Sequence, residues 1–191
     1  MFAARSDWIL GGMSENMYVL AASYDSVDQA LADFEGIDAA FRHVGTSGEF
    51  DAIVIAKTKG SEIEIVRHHD EAARRARNLG IGWGLAAGMV AVLFPVVGIL
   101  GAVAVGGGTG VAIGKVAHHA ARGLSRDDLK LLGEVLDRGD AGLVVLYGSD
   151  MADRVTTGVT RATSTTFATT DVSVERIAAE LGAERETADA P

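Results

Sequence analysis

The chain has 191 residues, a formal net charge of −9 and no cysteine. That length suits one domain with appendages, and the missing cysteine removes disulfides, thiol nucleophiles and thiolate metal sites. The acidic balance speaks against a nucleic-acid partner, because phosphate is held mainly by clustered Lys and Arg.

Taken in chain order, residues 1–16 read as a disordered lead-in. Arg5 and Asp7 interrupt the place where a secretory signal would begin its apolar run, and Met13 and Met17 offer alternative starts. "MYVLAASY" from Met17 is a short apolar run followed by turn chemistry at Asp25-Ser26, which predicts a buried strand. Helical spacing then takes over. Val27, Leu31, Phe34, Ile37, Phe41 and Val44 stack on one face, with Ser26 and Gln29 as a capping box and Gly45 as the stop. Two strands follow, "FDAIVIAK" and "SEIEIVRH"; in the second, Ile63 and Ile65 face inward while Glu62, Glu64 and Val66 face water.

Beyond residue 123, "SRDDLKLLGEVLDRGD" predicts a helix with a Ser125 cap, an apolar face of Leu129, Leu132 and Leu136, and a stop at Gly139. "AGLVVLY" is another buried strand, and residues 150–160 suit a helix packed on the sheet. "TTGVTRATSTTFATT" is Thr-rich and poor in helix propensity, so it reads as a linker. Val174, Ile177 and Leu181 mark a short amphipathic helix over 172–181, before a disordered end.

Between these parts lies the segment "GIGWGLAAGMVAVLFPVVGILGAVAVGGGTGVAIGK", uncharged until Lys115. Pro95 would break a helix near its middle, so Phe94 and Pro95 are the expected turn of a helical hairpin. The first arm, from Arg77, would span roughly 27 Å and the second, from Val97 to Val116, about 30 Å at 1.5 Å per residue. The bilayer hydrocarbon core is roughly 30 Å thick. Gly80, Gly84 and Gly88 repeat every four residues on the first arm. Gly98, Ala102, Gly106, Gly110 and Gly114 do so on the second, a stripe that lets helices approach closely. Arg74, Arg75 and Arg77 precede the hairpin, Lys115 and Arg122 follow it, and Trp83 sits where an interfacial aromatic would. Positive flanks on both ends favour cytoplasmic termini and the inner membrane.

The organisation expected is therefore α+β. A ferredoxin-like β-α-β-β-α-β domain occupies 17–69 and 124–163, as a four-stranded antiparallel sheet with two helices on one face. Its third strand and second helix are separated by a glycine-zipper hairpin, membrane-embedded, over 70–123. Residues 164–191 form the linker, short helix and tail.

This combination resembles the bacterial DUF1269 family of membrane proteins of unknown function. The matching residues are Gly80, Gly84, Gly88, Phe94, Pro95, Gly98, Gly106, Gly110 and Gly114, then "AGLVVLY", covering roughly 17–147. The resemblance implies the hairpin within an α+β domain and, from the stress-protein names of some members, an envelope stress association. The Thr-rich tail from Thr156 departs from the pattern.

Chemistry is sparse. His68-His69 and His118-His119 flank the hairpin, so a metal, haem or pH-sensing role is open, against the plainer reading as polar residues at element ends. "GGGTGVAIGK" lacks the hydroxyl after its lysine that a phosphate loop places on magnesium. The chain is thus expected to be a non-enzymatic integral membrane protein without cofactor, bound to lipid and self-associating through its zipper. The alternatives are a scaffold or stalk that recruits a partner enzyme or holds an apolar ligand such as a quinone, and a ferredoxin-like ligand- or metal-binding domain.

Overall fold

A computed structural model describes residues 17–44, 50–58, 62–69, 85–94, 99–100 and 123–170. The elements are β1 (Met17–Tyr24), α1 (Val27–Val44), β2 (Phe50–Lys57), β3 (Ile63–His68), α2 (Leu85–Leu93), β4 (Ile99–Leu100), α3 (Arg126–Leu136), β5 (Ala141–Tyr147), a 3-10 turn (Ser149–Met151), α4 (Ala152–Gly158) and β6 (Ser164–Thr170). The chain is α+β, with five antiparallel strands and the two-residue β4 attached parallel to β3, in the order β4-β3-β2-β5-β1-β6.

Successive strand side chains point to opposite faces, and in β1 and β5 both sets are apolar. Met17, Val19, Ala21, Val144 and Leu146 join one core with Ala86, Met89 and Val90 of α2 and Leu132 and Leu136 of α3. Leu20, Ala22, Leu143, Val145 and Tyr147 join the other with Ala30, Phe34, Ile37 and Phe41 of α1 and Val155 of α4. Every residue of β5 is buried, as expected for a strand covered on both sides.

This corrects the two-layer expectation. Helices lie on both faces, because β1 and β5 present apolar side chains to both. β1 and β2 each pair antiparallel with β5, so the strand dividing them is β5. In a ferredoxin-like sheet the third strand, here β3, would take that place. β3 lies outside β2 instead, with a register shift after Val54 that leaves Val66 as an extra, exposed residue.

The helix ends follow the capping rules. Ser125 Oγ accepts from Asp128 N at 3.0 Å and the Asp128 carboxylate accepts from Ser125 N at 3.0 Å, a complete capping box. At α1, Ser26 Oγ accepts from Gln29 N at 3.4 Å, but Gln29 Oε1 does not close the reciprocal bond. Beyond α3, Gly139 passes so close to β1 that a Cβ there would lie 2.7 Å from Tyr24 N.

Three sequence expectations are revised. The described part of the first hairpin arm is the nine-residue α2, lying on the sheet. Within the expected second arm, Ile99 and Leu100 are extended and pair with Ile63 and Glu64. The Thr-rich stretch is no linker where it reaches 164–170; it is β6, paired along β1. Its low helix propensity is the other side of the β preference of branched threonine. Among the described residues no helix is long and apolar enough to cross a membrane.

Candidate functional site

The two histidines stand at the end of β3, His68 as its last residue and His69 just after it, and the alternation of the extended chain sends them to opposite faces of the sheet. His68 Nε2 lies 3.1 Å from Asp51 Oδ1. Asp51 itself is buried on β2, and its other oxygen accepts from Ala86 N at 2.9 Å, in the first turn of α2. A carboxylate there meets backbone N–H groups that have no partner within the helix, and the positive end of the helix dipole. Asp51 therefore anchors α2 to the sheet while Ala86, Met89 and Val90 enter the core beneath it.

His69 turns to the α1 face. Its ring meets Phe41 and Phe50 edge-on, at centroid distances of 5.4 and 4.8 Å. Its Nδ1 lies 2.5 Å from Asp38 Oδ1, an ion-pair distance without hydrogen-bond alignment. The other Asp38 oxygen accepts from Arg42 at 2.6 Å. His69 N donates to Ala52 O at 2.9 Å, and the ring is 2% exposed. His69 Nε2 is buried and has no hydrogen-bond partner among the described residues.

A third aspartate holds the opposite end of α1. Asp33 Oδ2 accepts from Thr160 N at 2.8 Å, Arg161 N at 2.9 Å and the Tyr24 hydroxyl at 3.2 Å. Oδ1 accepts from the Arg161 guanidinium at 2.8 Å and the Thr160 hydroxyl at 3.1 Å. Burial, and next the adjacent Asp33 charge and its hydrogen bond, push the Tyr24 phenol well above its ordinary range; Arg161 opposes this in part. A buried carboxylate with five donors around it keeps the loop before β6 pinned to α1.

Chemically, these are satisfied or paired buried carboxylates that join elements. Each His–Asp pair orients one imidazole. Among the described residues no group of three or more His, Asp or Glu is placed to hold a metal ion. The sequence reading missed all three aspartates, although their positions carry the signal. Asp33 and Asp38 fall on the same helical stripe as Ala30, Phe34, Ile37 and Phe41, and Asp51 interrupts the apolar run of β2. A charge at a core position needs a partner, and that demand could have been read in advance.

Of the residues singled out in the hairpin, the structure places two. Gly88 is buried on α2, and Phe94 follows the end of that helix, 8% exposed in the core. Phe94 N donates to Val90 O at 2.9 Å, a helical bond one residue beyond Leu93. Gly80, Gly84, Gly98, Gly106, Gly110, Gly114, Pro95, Arg74, Arg75, Arg77, Trp83, Lys115 and Arg122 lie outside the described residues, as do His118 and His119.

No curated protein and no solved structure matches the chain. One family model does, over residues 78–182, with the description "Protein of unknown function (DUF1269)". The match starts just before the glycine-rich segment, takes in α2, α3, β5 and α4, and continues through β6. The Thr-rich stretch thus falls inside the family pattern, contrary to the sequence expectation, while β1, α1, β2 and β3 precede the match. With more than half of its length matched, the chain belongs to the DUF1269 family.

Proposed function

We propose that this protein is a non-enzymatic scaffold that self-associates through its glycine-rich segment, using the α+β domain as a base. The observation that carries this reading is the docking of α2. Ala86, Met89 and Val90 are fully buried against the sheet, and Asp51 holds the first turn of the helix. The described part of the first arm thus has a packing partner inside the domain and needs no lipid to cover it. The second arm starts as strand residues beside β3. What remains uncharged after β4, residues 101–114, would span about 21 Å even as an unbroken helix, against roughly 30 Å of hydrocarbon.

A stripe of small residues suits close approach between copies, and a mid-strand or mid-helix glycine otherwise lowers stability by about 0.5–1 kcal/mol. Contact between copies gives such residues a use in water. In this reading no cofactor is needed, and the buried histidines serve the joints between elements.

The second reading is an integral inner-membrane protein with an inserted hairpin and cytoplasmic termini. It is favoured by the basic flanks Arg74, Arg75, Arg77, Lys115 and Arg122 around an uncharged stretch. It requires α2 to leave the sheet, exposing Ile53 and Val144 of the strands beneath. Fractionation of native cells separates the two. Release from membranes by alkaline carbonate, with a particle mass well above 19.8 kDa, is expected of the scaffold. Extraction by detergent alone would overturn it in favour of the membrane reading.

A further inference from the structure

The two ends of the sheet differ in how they meet solvent. At the β3 side, Glu62, Glu64 and Arg67 are exposed, Val66 forms a bulge, and β4 covers part of the edge. Charges and bulges of this kind discourage pairing with other strands. At the other side stands β6, "STTFATT", with no charge and no proline. Its pairing with β1 runs from Ser164 to Thr170 without a register shift, so the strand is not twisted away. Among the described residues no strand pairs with its outer edge.

The side chains of β6 have a symmetry of their own. Ala168 faces the core under α3, while Thr165, Phe167 and Thr169 are exposed on the other face. Phe167 is 73% exposed, and it is the central residue of the strand. α1 packs mainly on β2, β5 and β1.

We propose that the outer edge of β6 is a self-association surface, where β6 of a second copy pairs antiparallel about a two-fold axis at Phe167. Such pairing sets Phe167 against its equivalent and Thr165 against the equivalent of Thr169. Aromatic–aromatic and Thr–Thr pairs are the favourable cross-strand combinations. The occupant is a second copy because the spacing is self-matching, as an isologous interface demands. The strand itself carries no charge, so pairing with its own copy sets no like charges opposite one another. This contact is independent of β4, the described part of the glycine-rich segment that pairs at the opposite edge of the sheet. Two self-matching contacts at opposite edges would join copies into an open chain.

The absence of native cysteine gives a clean test on the full-length protein. Phe167→Cys should form an inter-chain disulfide under mild oxidation, whereas Leu131→Cys, on the exposed side of α3, should not. Thr165→Cys and Thr169→Cys should cross-link when mixed and much less when separate. In sedimentation, Phe167→Lys and Phe167→Glu should each weaken one association step by about tenfold or more, and their equimolar mixture should restore it. Circular dichroism checks that each variant folds. Equal cross-linking of Phe167→Cys and Leu131→Cys would overturn the proposal, as would an unchanged size distribution for Phe167→Lys. A wild-type step that does not depend on concentration also overturns it, pointing to a foreign strand or none. Loss of the glycine-segment contact leaves the Phe167→Cys cross-link intact, so the two contacts fail separately.

Discussion

Asp33 shows how much one buried side chain can hold. Its carboxylate accepts from two backbone amides, two hydroxyls and a guanidinium, linking α1 to the loop before β6 across 128 positions of sequence. Asp33→Asn keeps the shape but turns an amide toward donors. It should lower unfolding free energy by about 1.5–3 kcal/mol, the range for a hydrogen bond to a charged group, as read from urea denaturation. Tyr24 adds a pH dependence. Its folded pKa is raised above the ordinary 10.0 by burial and by Asp33, and that of Tyr147 is raised by burial and Tyr18. An acid whose folded pKa is raised keeps its proton in the native state after the unfolded chain has lost it. Stability from these phenols is therefore fully present below pH 10 and falls as pH rises beyond it. Thermal midpoints from pH 8 to 11 should fall steeply in the wild type and less so in Tyr24→Phe. Glycines offer a contrasting pair. Gly139→Ala would drive a Cβ into the Tyr24 backbone and should be destabilising by about 1–3 kcal/mol. Gly36→Ala, in open space on α1, should stabilise by about 0.5–1 kcal/mol.

At the scale of elements, α2 is the piece whose place separates the scaffold reading from the membrane reading. A nine-residue helix is too short to be stable alone in water, so its stability is that of its docking. Met89 is fully buried between α2 and the sheet. Met89→Ala should lower stability by about 2–5 kcal/mol in detergent-free buffer, with one cooperative transition by both circular dichroism and fluorescence. A loss under about 0.5 kcal/mol would mean that α2 is not part of the water-soluble fold. Asp51→Ala tests the anchor. Amide exchange across α2 should speed up well before that of β5. The sequence made α1, β1, β5 and α3 legible because their signals are local: a cap, a period and a stop within one window. It left α2 merged into a longer arm, since an apolar run looks alike whether sheet or lipid covers it. β6 was missed because threonine is weak evidence for a linker and good evidence for an edge strand.

At the scale of the whole molecule, the described residues form a sheet covered on both faces, with charged residues on β3 toward one end and an uncharged β6 at the other. The proposed scaffold predicts that the glycine stripe is a contact between copies. Gly84→Leu or Gly110→Leu should reduce particle size in sedimentation, while Val103→Leu, off the stripe, should leave it unchanged. Overpacking is destabilising only where space is short, by about 1–3 kcal/mol. Identical behaviour of all three variants would remove the stripe from any contact.

By itself the sequence determined the class of most elements, the Ser26 and Ser125 caps of α1 and α3, the apolar faces that enter the core, and membership of the family. Each of these depends on residues within a few turns of one another, or on a pattern repeated along the chain. Only the tertiary structure decided that β5 divides β1 from β2, that helices cover both faces, and that α2 belongs to the core. It also paired Asp33 with Arg161, Asp38 with His69 and Asp51 with both His68 and Ala86. Those choices depend on contacts between residues far apart in sequence. Which strand neighbours which is settled by the burial of both faces together, a sum over the whole domain that no single window of sequence contains.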